Sequence, residues 1–71
     1  MTVEVFKTNV NKRKNADILL QHIHRNFVGY IANFDLDDCD KILRIVATNL
    51  HPNSVESLLH TAGFNCKELD Y

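Results

Sequence analysis

Three consecutive basic side chains stand directly before an apolar helical pattern, and they are the most unusual chemical feature of the sequence. They are Lys12, Arg13 and Lys14. The first backbone N–H groups of a helix lack intrahelical partners, and the positive end of the helix dipole lies there. Three cations at this point suit an anion, such as a phosphate, a carboxylate or an acidic patch on a partner. A solvated basic turn is the plainer interpretation and stays open.

Two cysteines, Cys39 and Cys66, are the thiols that this chain offers to a metal. They are too few for a disulfide framework. The topology derived below places their strands roughly 10 Å apart, whereas a disulfide requires Cα atoms within about 7 Å. We expect Cys66 to be a small core residue and Cys39 to be an exposed turn thiol.

Histidines and carboxylates add no recognisable metal motif. The histidines are His22, His24, His51 and His60. No two of them have i, i+4 spacing, and the HExxH pattern is absent. The acidic segment 35–40 lacks the glycine and the closing glutamate of a calcium loop. We therefore expect solvated histidines, a solubilising hairpin tip and no cofactor.

Length and composition indicate a single small domain that spans residues 1–71. The chain is 45% hydrophobic and 24% charged, which excludes a disordered tail. It has no apolar run near the ~20 residues of a membrane span and no apolar core of a secretory signal, so we expect a soluble cytoplasmic protein. The net charge of −1 gives no general attraction for nucleic acid or membrane. Residues 1–27 carry five basic and two acidic side chains, however, and residues 28–71 carry three and seven.

Hydropathy patterns predict the order β-α-β-β-α-β. Alternating segments predict strands at 2–9, 30–37, 41–47 and 64–69. Helical apolar stripes are formed by Ala16, Leu19, Leu20, Ile23 and Phe27, and by Val55, Leu58, Leu59 and Ala62. Asp17 is expected near the start of the first helix, and Gly63 at a left-handed cap after the second. The inward register of the first strand stays open.

This order predicts an α+β domain with the ferredoxin-like fold. Two right-handed crossovers give a four-stranded antiparallel sheet, with strand order 4-1-3-2 and both helices on one face.

Three segments carry a resemblance to a known family. They are Phe27-Val28-Gly29, FDLDDCDKILRI across the hairpin, and HPNSVESLLHTAGF, which ends in Ala62-Gly63-Phe64. Over nearly its whole length the chain resembles a heavy-metal-associated domain, the module of small copper chaperones and of metal-pumping ATPases. The resemblance implies the ferredoxin-like scaffold.

The metal motif of that family is absent from this chain. The family has Met-x-Cys-x-x-Cys in the first loop, where this sequence has Val10, Lys12 and Asn15 at the Met and the two Cys positions. Soft thiolates select Cu(I) and similar ions, and an ammonium and an amide cannot replace them. The resemblance thus implies a scaffold that has lost its metal site.

The sequence favours a non-enzymatic module that contacts another protein, or a second copy of itself, through the former metal loop. The candidate residues are Lys12, Arg13, Lys14 and Phe64, with the acidic hairpin as a second patch. In the family the corresponding end docks partner domains, so reuse of this surface is expected by analogy.

Two other functions stay as alternatives. One is a metal carrier that uses Cys39, Cys66 or histidines. The other is a phosphate-binding or acylphosphatase-like protein, for which Arg13 and Asn33 are a weak match in a loop without glycine. RNA recognition is not expected, because KILRIVA has no aromatic stacking positions.

Overall fold

The computed structural model describes residues 1–69, which form four strands and two helices in the predicted order. Their bounds are β1 (Thr2–Thr8), α1 (Arg13–Asn26), β2 (Ile31–Asp35), β3 (Ile42–Ala47), α2 (Pro52–Thr61) and β4 (Cys66–Glu68). The strands form one antiparallel sheet in the order β2-β3-β1-β4. This is the predicted order read from the other edge, and the ferredoxin-like α+β fold is confirmed. Within residues 1–69 no helix is long and apolar enough to cross a membrane.

The first strand turns Phe6 toward the helices and Val3 away from them. Phe6 is fully buried and pairs with Leu43, whereas Val3 is 48% exposed. A one-residue slip would exchange the two faces. A phenyl ring buries much more apolar area than an isopropyl group, so the register with Phe6 facing the helices has the lower free energy. Thr8 lies on the same face as Phe6 and is also buried.

Helix α1 begins three residues earlier than its apolar stripe suggests. Lys12 is the N-cap residue, without a side-chain capping hydrogen bond, and Arg13 is the first helical residue. The prediction that Asp17 would favour the helix start is wrong, because the first turn contains no acidic residue. Asp17 instead lies one turn further on, 3.8 Å from Arg13.

Helix α2 has the two end signals that the sequence predicts. Pro52 occupies its first turn, where a missing N–H costs nothing. At the other end Gly63 has φ +94, its N–H donates to His60 O, and the N–H of Phe64 donates to Leu59 O. These are the two bonds of a Schellman cap. The prediction that Ala62 belongs to the apolar stripe is wrong, because Ala62 is the exposed C-cap residue.

Candidate functional site

Three loops meet at one end of the sheet, which we call the loop end. They are residues 9–12 after β1, residues 36–41 between β2 and β3, and residues 62–65 before β4. They converge because β1 ends where its two antiparallel neighbours, β3 and β4, begin. The basic triplet, Cys39, Cys66 and Phe64 lie at the loop end or on the strand ends and helix turns that flank it. Asn33 lies in the middle of β2, and His24 and His51 lie toward the opposite end of the sheet.

Thr8 holds two of these loops together. Its hydroxyl donates to Lys41 O over 2.5 Å and accepts the N–H of Val10 over 3.2 Å. Its backbone N–H donates to Asp40 O over 3.1 Å. The same residue pairs with Cys66 on β4. One buried hydroxyl therefore satisfies a backbone group in each of the two loops, which limits how far the first loop can move relative to the hairpin.

The remaining loop is tied by an amide, and the hairpin is closed by a lysine. The N–H of Asn65 donates to Asn9 Oδ1 over 2.9 Å. Lys41 has φ 47, in the left-handed region, and its ammonium donates to Leu36 O over 2.8 Å. The loop end is thus a hydrogen-bonded platform, and the charged side chains project from a defined backbone.

The basic triplet Lys12, Arg13 and Lys14, hereafter the basic cluster, is exposed at the start of α1. Arg13 forms an exposed ion pair with Asp17, with 3.8 Å between nitrogen and oxygen. Within the described chain neither Lys12 nor Lys14 forms an ion pair. Both ammonium groups therefore stand uncompensated beside the positive end of a helix dipole.

The acidic hairpin lies at the same end and brings three metal-type ligands together. The ligand atoms of Asp38, Cys39 and Asp40 lie within 4.8 Å of one another. Both carboxylates have protein partners: Asp38 accepts the N–H of Asp40 over 2.8 Å, and Asp40 lies 3.5 Å from the ammonium of Lys7. Within residues 1–69 no histidine and no second thiol joins this group. Exposed acidic groups of this kind are common without a metal.

Cys66 is directed into the core, as predicted, and Cys39 is exposed, as predicted. Burial, with a smaller contribution from the Glu56 carboxylate, raises the pKa of the Cys66 thiol from 9.0 to about 12. Since the thiolate is the form that ligates metals and attacks electrophiles, the Cys66 thiol is unreactive at neutral pH. All four histidines are exposed, and His60 Nε2 lies 3.1 Å from Cys66 O.

The resemblance implies that the Met and the two Cys ligands of the family are replaced by Val10, Lys12 and Asn15, of which Lys12 is exposed in the basic cluster. Val10 is fully buried in the core, and Asn15 is partly buried in the first turn of α1. The two residues of the acylphosphatase-like alternative are not brought together. Asn33 projects from the sheet face opposite the helices, whereas Arg13 belongs to the helix layer.

Phe64 contributes less to the surface than the sequence suggests. It is partly buried and packs against the core beside the Schellman cap. Sequence reasoning also missed a shallow groove of about 610 Å³ between the two helices. The groove is lined by His22, Asn26, Phe27, Ser54, Ser57, Leu58, Thr61 and Ala62. Polar and apolar residues are mixed in its lining on both helices, so no sequence signal distinguishes it from an ordinary helix interface.

Comparisons of the chain with protein-family models, with curated proteins and with solved structures find no match. The loop end and the sheet are therefore the features of the molecule from which a function can be inferred.

Proposed function

We propose that this chain is a non-enzymatic interaction domain, a heavy-metal-associated type of scaffold without the family's metal ligands, which binds an acidic protein surface through the basic cluster. The observation that carries the proposal is the pair of uncompensated ammonium groups, on Lys12 and Lys14, at the start of α1. Its two unpaired cysteines suit a reducing compartment, and the proposal places it in the cytoplasm.

The basic cluster works against the stability of its own helix. A cation near a helix N-terminus is unfavourable by roughly 0.3–1 kcal/mol, and α1 has no acidic residue in its first turn to offset it. A carboxylate from a partner would interact with the ammonium groups and with the free backbone N–H groups at once. Binding would therefore relieve an unfavourable interaction that the isolated domain retains.

The platform beneath the basic cluster also favours recognition rather than catalysis. Thr8 Oγ1 accepts the N–H of Val10 and Asn9 Oδ1 accepts the N–H of Asn65, which fixes the loop backbone, so little ordering is required when a partner binds. Lys12 and Lys14 are solvated point charges that set orientation and association rate more than affinity. We therefore expect binding that is fast, moderate in affinity and sensitive to salt.

The test titrates the domain with a synthetic acidic peptide rich in Glu and Asp, and with a neutral Gln/Asn peptide of equal length. Lys12→Glu and Lys14→Glu should each weaken binding of the acidic peptide by about tenfold, and raised salt should weaken the wild type similarly. Arg25→Glu is the matched control, because Arg25 is exposed in the last turn of the same helix. It should change the affinity by less than about twofold.

The same variants carry an independent stability readout. Lys14→Glu should raise the free energy of unfolding by about 0.5–1 kcal/mol, since an anion replaces a cation at the start of α1. A variant that is more stable and yet binds less cannot owe its loss of binding to misfolding. The proposal is refuted if the acidic peptide fails to bind the wild type, or if Arg25→Glu weakens binding as much as Lys14→Glu.

The metal-carrier alternative has one supporting observation, the proximity of Asp38, Cys39 and Asp40. Titration of the fully reduced protein with Cu(I) and with Zn(II), read by native mass spectrometry, tests it directly. Stoichiometric binding that is lost in Cys39→Ser would favour the carrier, and absence of binding would favour the interaction domain. Inorganic phosphate, added in a thermal-shift assay, tests the anion-binding alternative in the same way.

A further inference from the structure

The face of the sheet that the helices leave uncovered, which we call the open face, carries a row of apolar side chains. Val3 pairs with Val46, and Val46 pairs with Ile31, so the three lie side by side across β1, β3 and β2. Ile31 is 56% exposed and Val3 is 48% exposed. The wet face of an antiparallel sheet is normally polar. A contiguous apolar row on it therefore indicates a contact surface.

The two edges of the open face carry opposite charges. Asp35 lies at the β2 edge, and Lys67 lies on β4 at the opposite edge. Lys67 pairs directly with Lys7, and like charges in opposed positions destabilise a sheet. Lys7 has Asp40 at 3.5 Å, whereas Lys67 forms no ion pair within residues 1–69. Among the described residues, the β4 edge thus presents a cation without an ion-pair partner.

Asp35 and Lys67 lie at the same height along the strands. Asp35 pairs with Ile42, the residue before Leu43, and Leu43 pairs with Phe6. Lys7, the residue after Phe6, pairs with Lys67. The row that contains Asp35 at one edge therefore contains Lys67 at the other, and the apolar row lies further along the same strands.

We propose that the open face binds a second copy of this chain, sheet against sheet, about a two-fold axis parallel to the strands. Such an axis exchanges the edges of the sheet and keeps each row at its own height. Asp35 of each copy then faces Lys67 of the other, and Val3 of each copy faces Val46 of the other. The interface is isologous, as the closed symmetry of a dimer requires.

Other arrangements fit the open face less well. A two-fold axis in the plane of the face but perpendicular to the strands would set the apolar row against the row with Asp35 and Lys67. Single-stranded nucleic acid would need aromatic side chains for base stacking, and the open face has none on the four described strands. The axis parallel to the strands sets Val3 against Val46 and Asp35 against Lys67, and at the two central strands it sets Arg44 against Val5 and Lys7 against Ile42.

The size of the open face sets the expected strength. Four strands about 4.8 Å apart and about five residues long cover roughly 19 × 17 Å, or about 300 Å² in projection. This is well below the ~800 Å² per partner of a standard stable interface. Arg44 lies at the centre of the face, and burial of its guanidinium in the dimer would cost desolvation free energy. This cost is avoided where the aliphatic part of the side chain lies in the interface and the guanidinium extends into solvent. The dimer should accordingly be weak and reversible, with a micromolar dissociation constant.

The decisive experiment uses two charge reversals, Asp35→Lys and Lys67→Asp, with sedimentation velocity over a concentration series up to the millimolar range. Each variant alone places two like-charge pairs in its own homodimer, and its dissociation constant should rise by about tenfold. An equimolar mixture of the two variants restores opposite charges in both pairs of the heterodimer. The mixture should dimerise within about threefold of the wild type. Circular dichroism checks that both variants are folded.

The apolar row is tested by Val3→Lys, with Val28→Lys as the matched control. Val28 is 96% exposed in the turn between α1 and β2, outside the open face. Val3 faces Val46 of the other copy, so Val3→Lys should abolish dimerisation, and Val28→Lys should leave it unchanged. A wild type that stays monomeric at millimolar concentration overturns the proposal. The proposal is also overturned if the mixture dimerises no more strongly than the single variants, or if the two lysine substitutions weaken dimerisation equally. The basic cluster is intact in every variant, so the acidic-peptide test is separate.

Discussion

Replacement of Thr8 by valine should loosen the loop end more than any other change of similar size. Valine has nearly the same shape as threonine but lacks the hydroxyl. Thr8→Val therefore removes the bond to Lys41 O and the bond from the N–H of Val10. The backbone bond from Thr8 to Asp40 is unaffected, so the sheet register should persist.

The cost follows from the two bonds and from the burial of their partners. Two hydrogen bonds at about 1 kcal/mol each are lost, and the N–H of Val10, a buried residue, is left without its partner at a further ~1–3 kcal/mol. The additional apolar contact of the valine methyl returns about 0.8 kcal/mol. We expect a net loss of about 2–4 kcal/mol, which is half or more of the ~3–5 kcal/mol typical of such a small core.

Urea denaturation measures this loss, and Thr8→Ser serves as the control. Serine keeps the hydroxyl and removes one methyl group, so it should cost only about 1 kcal/mol. With a urea slope near 1 kcal/mol/M, the midpoint of Thr8→Val should fall by about 2–4 M. Hydrogen exchange at the Val10 amide should also accelerate. A loss below about 0.5 kcal/mol, or a greater loss in the serine variant, would refute the role assigned to this hydroxyl.

Three further predictions concern the thiols and the helix cap. A thiol reagent should label Cys39 in the native protein and reach Cys66 only on unfolding, and equal labelling rates would contradict the burial of Cys66. Because burial, with a smaller contribution from Glu56, raises the pKa of Cys66 from 9.0 to about 12, the unfolded chain loses this proton first. The free energy of unfolding should therefore fall over that pH range, by at most about 1.4 kcal/mol per pH unit, and the fall should be shallower in Cys66→Ala. Gly63→Ala should cost about 1–2 kcal/mol in urea denaturation, since φ is +94 there, and Gly63→Asn should cost less.

Most of the fold could be predicted from the sequence because local signals agreed with the global pattern. Pro52 and Gly63 mark the two ends of α2, and both occupy the positions that their backbone chemistry favours. The alternation in β2 and β3 separated buried from exposed residues correctly, with Phe34 and Leu43 inside. A topology can be predicted from sequence when secondary-structure propensity, hydropathy pattern and turn residues agree in this way.

The features that could not be predicted depend on contacts between distant residues. Thr8 is an ordinary polar strand residue in the sequence, and its role appears only when β1 lies beside the hairpin. Lys41 adopts a left-handed backbone that would suggest glycine, and its bond to Leu36 O closes the hairpin. The apolar row of the open face could not be predicted, because the sequence does not determine whether Val3 or Phe6 faces the helices.

The candidate site was only partly visible for a related reason. The basic cluster could be found as consecutive letters, but the helix start at Arg13 could not, since a basic first turn contradicts the usual end signals. Phe64 was proposed as an interaction residue together with the basic cluster, whereas it is partly buried and packs against the core.

Two unfavourable arrangements of charge, which we call the electrostatic misfits, lie on different surfaces of the domain. Lys12 and Lys14 oppose the dipole of α1, while Lys7 and Lys67 oppose each other across β1 and β4. Each misfit costs a fraction of the few kcal/mol that hold so small a domain together. Violations of this kind are expected where a surface serves binding, because an incoming anion turns an unfavourable charge into a favourable contact. Removal of the two misfits should raise stability independently and should abolish different interactions, with the acidic peptide in one case and with the second copy in the other.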